Sequence, residues 1–404
     1  MAPTLASLDN TLGVDTSPTL PMKYPTRPNL AAALSRAERD FRSDVMTVPT
    51  DRMMQAIFEA TFSDDIYDAD VGDPSVNALE QKLIELTGME AAVWVLSGTM
   101  GNQICLRTHL TQPPHSVLLD HRAHIHVWES GGLPVFSQAS ATTIIPANGI
   151  HLTLEDIKKN IIPDGNWHFP PTRVVALENT LSGSILPLKD AKEISDFVRK
   201  YPVPVGQKPV AMHLDGARLF EGVIGENVDI KEYCACFDSI SVCLAKGIGA
   251  PMGSIVLGSR DFIDRAKWFK KMFGGGTRQP GMMAAAALAA LNHSIPQVSR
   301  VHTLTRSTAA KLAALGYKFS FPVETNMIVL DLEGLDIPAT AFQEYCTVEG
   351  LNVLRAGRLV FHHQTSETAV DRLLDALARL MMDKKAGKLL HGDNDTPQSS
   401  GGCA

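Results

Sequence analysis

The sequence has no basic surplus. Its 404 residues carry 37 lysines and arginines against 44 aspartates and glutamates, with the two signs intermixed, for a formal net charge of -7. Nothing offsets the cost of approaching a phosphate backbone, so nucleic acid is excluded as an expected partner. A long apolar run is also missing. The longest, Ala284 to Leu291, falls well short of the ~20 residues that cross a bilayer, and no membrane partner is expected. Residues 1–38 contain Asp9, Asp15 and several prolines but no continuous hydrophobic stretch. They resemble neither a secretory signal nor a transit peptide and read as a flexible extension. Residues 386–404 are polar and read as a disordered tail, in which Cys403 lies too near the end for prenylation. The six cysteines are scattered, mostly in apolar runs, which points to a reduced, cytoplasmic setting. Cys234 and Cys236 are one residue apart where zinc and redox pairs need two, and no second pair follows, so no metal is expected.

What is present suits an enzyme-sized α/β chain. The length exceeds one ordinary domain of ~100–200 residues, and 45% apolar with 20% charged residues supplies a packed core. Helical spacing over Asp51–Thr61 and Val76–Leu86 precedes the apolar, β-rich runs Ala91–Leu96, Val117–Leu119, Thr143–Ile145, Val174–Leu177, Val210–Leu214, Ile240–Leu244 and Ile255–Leu257. Ser75 is placed to cap the second helix and Gly88 to end it. Further helices fall between the runs at Gly101–Leu110, Leu154–Asn160 and Lys189–Lys200. Strands buried on both faces and alternating with helices imply a mostly parallel sheet covered on both sides. After an alanine-rich helix near 282–292 come a helix at Val298–Leu315, strand-like Met327–Leu332 and Leu351–Leu354, and a last helix at Ser366–Met382. The expected layout is a large domain over 39–292 and a smaller α+β domain over 293–385.

In such sheets ligands gather where strands end and helices begin. Four joins carry useful chemistry. Ser97-Gly98-Thr99 leads into a helix and suits a phosphate, though a plain strand-to-helix turn reads the same way. In His213-Leu214-Asp215-Gly216-Ala217-Arg218, Asp215 closes an apolar strand and needs a cation, either a protonated pyridine or its neighbour Arg218. Lys246 follows an apolar strand and precedes Gly247-Ile248-Gly249, so its amine either attacks a carbonyl at the sheet edge or reaches solvent. His124 stacks on a flat ligand, moves a proton, or is structural. A phosphate turn, a buried acid and a lysine in that chain order together fit pyridoxal 5'-phosphate (PLP).

At this point a family likeness enters. The chain resembles the low-specificity L-threonine aldolases, the fungal ones above all, over roughly residues 39–385. The likeness rests on Asp40-Phe41-Arg42-Ser43-Asp44, Asp64-Asp65-Ile66-Tyr67, Ser97-Gly98-Thr99, Ala123-His124, Leu177-Glu178-Asn179-Thr180, the His213–Arg218 and Lys246–Pro251 segments, Gly274–Gln279 and Gly357–His362. It implies the aminotransferase-like PLP fold (fold type I) and a homotetramer with active sites shared between subunits. It also implies that Lys246 holds the cofactor covalently, that Asp215 keeps its ring nitrogen protonated and that His124 stacks on the ring. Gly98 and Thr99 would bind the phosphate, with Arg278 reaching it from a neighbouring subunit. Ser43, Arg218 and Arg358 would hold the substrate carboxylate, and Tyr67 would line the site. The implied reaction splits L-threonine or L-allo-threonine at Cα–Cβ into glycine and acetaldehyde, with His124 or a water it positions as base. An alanine racemase of the same family, supplying D-alanine for peptide biosynthesis, is the alternative. A non-catalytic PLP-fold protein is a further one, against which Lys246, Asp215 and both arginines argue. Three positions depart from the family pattern: Ala245 replaces the usual serine before the lysine, Asp68 replaces a glycine after Tyr67, and His126 stands where some relatives have tyrosine.

Overall fold

Short apolar segments become the strands of one sheet because all but the edge strand are buried along most of their length. They are β1 (Ala91–Val95), β2 (Ser116–Asp120), β3 (Ser140–Ile144), β4 (Thr172–Glu178), β5 (Ala211–Asp215), β6 (Ser239–Cys243) and β7 (Ser254–Gly258), in the order β1-β7-β6-β5-β4-β2-β3. The computed structural model describes residues 28–64 and 72–389. Neighbouring strands are parallel except that β7 runs antiparallel to both β1 and β6. β3 begins earlier than the apolar pattern suggests. It is an edge strand whose first residues are mostly exposed, so Ser140 and Thr142 hide the signal.

The helices match their caps with one change. Asp73, not Ser75, caps the helix Pro74–Thr87, its Oδ1 accepting from the Ser75 and Val76 backbone N–H groups at 2.8 and 3.2 Å, while Gly88 ends it at φ 72°. A carboxylate on the preceding residue competes better for the free helix donors than a hydroxyl already inside the turn. The helix Gly98–His109 lies against β5, β6 and β7. Gly101 sets that approach, since a Cβ there would stand 2.4 Å from Ser241 Oγ. Among the described residues no helix is long and apolar enough to cross a membrane.

The described residues divide into two compact units, one lying within 49–291, the other joining residues 28–48 with residues 292–389. In the second unit β8 (Met327–Val329) pairs antiparallel with β9 (Arg358–Val360). The apolar run Leu351–Leu354 is not β8's partner. Leu351 and Val353 owe their apolar character to core burial, and Asn352 makes only an isolated bridge to Asp40. Residues 39–48 pack with this unit and not with the large sheet to which their place in the chain assigns them. Phe41 is fully buried in its core, its N–H donates to Asn352 O at 2.8 Å, its carbonyl accepts from Val360 N–H at 2.9 Å, and its ring meets Phe361 edge-on at 5.3 Å.

Phe41→Ala should therefore destabilise this unit by about 3–5 kcal/mol, the usual cost of removing a buried aromatic. Urea unfolding checks this, and an unchanged midpoint would place Phe41 outside the core.

Candidate active site

Parallel register brings the chemistry to one edge. Glu178 and Asp215, the last residues of β4 and β5, stand directly opposite each other, and Asp215 is in turn opposite Ser241 of β6. Lateral partners point to the same face, so two carboxyls share one small region just before the loop that carries Lys246.

Asp215 is 4% exposed. Its Oδ2 accepts from Asn102 Nδ2 at 2.7 Å and its Oδ1 from Ala217 N–H at 3.1 Å. These two donors compensate part of the cost of burying the group. Glu178 has less help. Its Oε2 accepts from the His124 backbone N–H at 2.9 Å, but burial first, and then the charge of Asp215, push its carboxyl up to about 8. Like charges on adjacent strands do not both ionise, and Glu178 is the one that keeps a proton.

His124 opens a short helical turn, His124–Val127, and its Nδ1 lies 2.9 Å from Oε1 of the fully buried Glu129 carboxyl. Burial pulls the imidazole down, but the Glu129 hydrogen bond and the charges of Asp215 and Glu129 outweigh it, so its pKa is raised. With Nδ1–H given to Glu129, Nε2 is the nitrogen left to take up or release the second proton. Glu129 is itself held by Asn102 Nδ2 at 2.8 Å and by Gln103 Nε2. Lys246 completes the group, its charge close enough to lower both His124 and Glu178.

The ligating atoms of His124, Glu129 and Asp215 lie within 4.8 Å of one another, a spacing that could in principle hold a cation. The Asn102 amide already donates to both carboxylates. What remains facing Asp215 fits the protonated nitrogen of a flat ring, with His124 and Lys246 beside it. At the N-terminus of the helix Gly98–His109, Ser97 Oγ is spent as the cap, accepting from Met100 N–H at 3.2 Å, while Thr99 stays exposed. Gly98 sits beside them, with Ser254 Oγ and Cys243 Cβ at ordinary contact distance, 3.7 and 3.9 Å, from where a Cβ would stand. This combination suits a phosphate.

The other residues singled out in the sequence are distributed as follows. Arg218 is 5% exposed at the start of the helix Leu219–Glu226, tied to the loop after β4 by its N–H to Asn179 O at 3.2 Å. Arg278 is 59% exposed and pairs with Asp64 at 3.0 Å. Ser43 and Arg358 belong to the second unit, where Ser43 caps the turn Asp44–Met46 and Arg358 Nη2 donates to Arg42 O at 3.2 Å. Tyr67 and Asp68 lie outside the described residues. His126 is exposed. Asn102, Glu129 and Glu178 received no role from sequence reasoning. Glu178 had a readable signal, an acid closing an apolar strand as Asp215 does. Asn102 had a fainter one, a polar residue on a helix wedged against a sheet.

Residues 40–334 match the beta-eliminating lyase family. A Schizosaccharomyces pombe relative named probable low-specificity L-threonine aldolase is 42% identical over 344 residues, 85% of this chain and 88% of its own. A more distant relative, from Cochliobolus carbonum and named alanine racemase, is 35% identical over 84% of this chain and 86% of its own. Among solved structures, threonine aldolase from Leishmania major superposes with a TM-score of 0.71 at 17% identity, over 85% of this chain and 99% of that one, which shows the shared fold.

The proton on Glu178 has a measurable consequence. Its folded-state pKa, about 8, lies above the ordinary 4.5, so between those values the folded chain holds a proton that the unfolded chain has released, and stability falls as pH rises through that window. Glu178→Gln removes this dependence. In thermal melts of the cofactor-free protein, the variant should gain on the parent from about pH 5 to about pH 8. A difference that does not change with pH would place the proton elsewhere.

Proposed function

This chain belongs to the beta-eliminating lyase family and, within it, to the low-specificity L-threonine aldolases; we propose that it splits L-threonine and L-allo-threonine into glycine and acetaldehyde with the help of PLP. The observation that carries this reading is the gathering of Asp215, His124 and the Lys246 charge at one buried point on the sheet edge. Bound there, PLP supplies a cationic ring that draws electrons out of the bond to be broken.

The chain's own groups do the rest. Lys246 would hold the cofactor through Nζ. Asp215 would keep the ring nitrogen protonated, and His124 would stack on the ring. Gly98 and Thr99 present N–H and hydroxyl donors to the phosphate, and Arg278, exposed in its own chain, is the residue that completes this site from a neighbouring subunit. Family resemblance assigns Ser43, Arg218 and Arg358 to the substrate carboxylate, where guanidinium groups offer paired donors, and Tyr67 to the lining of the site. His124 Nε2, made more basic by Glu129, would take the β-hydroxyl proton directly or through a water as the acetaldehyde carbonyl forms and Cα–Cβ breaks, and a proton returned to Cα would leave glycine.

Assembly as a homotetramer is supported by exposed apolar side chains such as Trp268 and Met272, 74% and 62% exposed on the helix Arg260–Met272. A cytoplasmic setting is supported by the buried, unpaired thiols of Cys105, Cys234 and Cys346.

Purified protein supplied with PLP should release acetaldehyde and glycine from L-threonine or L-allo-threonine. D-alanine formed from L-alanine without any aldehyde would overturn this in favour of the racemase. Lys246→Ala should lose the visible absorbance of bound cofactor together with turnover, and His124→Asn should lower kcat by about 10²–10⁴-fold, the span for losing a general base.

A further inference from the structure

Behind Asp215 runs a buried line of hydrogen bonds whose direction is fixed by the atoms available. Asn102 Nδ2 spends both hydrogens on carboxylates, one on Asp215 Oδ2 at 2.7 Å and one on Glu129 Oε1 at 2.8 Å. Its Oδ1 must therefore be the atom facing His213 Nε2 at 3.2 Å. An amide oxygen only accepts, so His213 carries its proton on Nε2. The bare Nδ1 then accepts from Ser239 Oγ–H at 2.9 Å, and Ser239 Oγ in turn accepts from His109 Nε2–H at 2.8 Å. Every link points toward Asp215.

The fold places these groups deliberately close. His213 and Ser239 are direct partners across β5 and β6, and His213 shares its face with Asp215 two residues on. Asn102 and His109 lie two turns apart on the helix that crosses this face. Asn102 is 1% exposed, and His213 and Ser239 are 0%. Burial holds both imidazoles neutral, His213 down to about 4 and His109 down to about 3. A neutral ring has a single N–H, which is what makes the line directional.

We infer that Asn102, aimed by His213 and Ser239, is a positioning residue of the active site: one amide holds Asp215 toward the ring nitrogen and, through Glu129, holds His124 against the ring. The inference rests on the PLP reading above. His213 touches no reacting atom. It keeps the Asn102 amide from flipping, since a flipped amide would turn its oxygen onto two carboxylates and take one donor from each, leaving Asp215 Oδ2 without the Asn102 N–H. The two ends of the site, the acid under the ring nitrogen and the base above the ring, are thereby set by the same side chain.

The test uses full-length Asn102→Leu, His213→Leu and His213→Gln, each first checked for a native circular dichroism spectrum. Gln keeps an N–H to give Asn102 and an oxygen to take the Ser239 hydroxyl. Cofactor affinity, read from the visible absorbance on titrating PLP into cofactor-free protein, should weaken by about ten- to a hundredfold in Asn102→Leu and His213→Leu, the range for losing a hydrogen bond to a charged group. His213→Gln should recover most of it. In the same variants kcat for threonine cleavage should fall more than KM rises, because His124 is misplaced along with Asp215. Folded Asn102→Leu and His213→Leu that bind PLP like the parent would overturn the inference and leave the PLP reading standing. Equal loss in His213→Leu and His213→Gln would overturn the directional role of the imidazole. A parent protein that binds no PLP at all would instead sink the reading on which the inference rests.

Discussion

Two carboxyl groups on the same face of adjacent parallel strands form the constraint on which the site depends. Glu178 and Asp215 are register partners, and strands in a sheet lie roughly 4.8 Å apart. At that separation, away from bulk water, two negative charges repel strongly and one is given up. The chain settles which one by the distribution of donors. Asp215 receives the Asn102 amide and a backbone N–H, whereas Glu178 receives one backbone N–H and keeps a proton. The sheet edge thus offers one anion and one neutral acid, with an imidazole and an ammonium around them. Asp215 is the anion left to face a cationic ring, and the Glu129 carboxyl lies behind it on the shared Asn102 amide.

This constraint explains why the helix Gly98–His109 is so closely seated. Asn102 reaches both Asp215 and Glu129 only if the helix axis lies near the strands, and the missing Cβ of Gly101 against Ser241 permits it. The same closeness brings the helix N-terminus, with Gly98 and Thr99, to the ends of β6 and β7. One packing decision therefore places the anion turn and the support for Asp215 together.

Much of the fold was legible because parallel strands buried on both faces leave continuous apolar runs, as in Val117–Leu119 and Ile240–Leu244. What failed did so for identifiable reasons. β3 is an edge strand with exposed threonines, and Leu351–Leu354 is apolar because it lines the core without pairing with β8. Residues 39–48 join a unit whose other residues begin at 292, a tertiary contact that no local pattern announces. In the site, Asp215, Lys246 and His124 stood out because an acid, an amine and an imidazole at strand ends are chemically costly or useful there. Asn102 and Glu129 did not, since their importance lies in pairing with each other and with Asp215, across 27 and 113 residues of sequence from Asn102. Local spacing cannot express such a relation.

The same argument separates what the acid–base groups decide from what they leave open. Withdrawal of electrons by a cationic ring weakens whichever bond at Cα stands perpendicular to it, so in their proposed roles Asp215 and Lys246 would serve Cα–Cβ and Cα–H cleavage alike. The choice between those bonds falls to the groups that orient the substrate carboxylate and to the position of the base. The proposed base is rigid: His124 is pinned at its backbone N–H by Glu178 and at Nδ1 by Glu129, leaving Nε2 at one fixed place. In the proposed roles a base held this way receives a proton at one place, and the Lys246 amine would be a second proton carrier beside it. The rigidity supplied by Glu129 and Asn102 therefore fixes where a β-hydroxyl must lie to be deprotonated, while the choice of bond rests with the groups that orient the carboxylate.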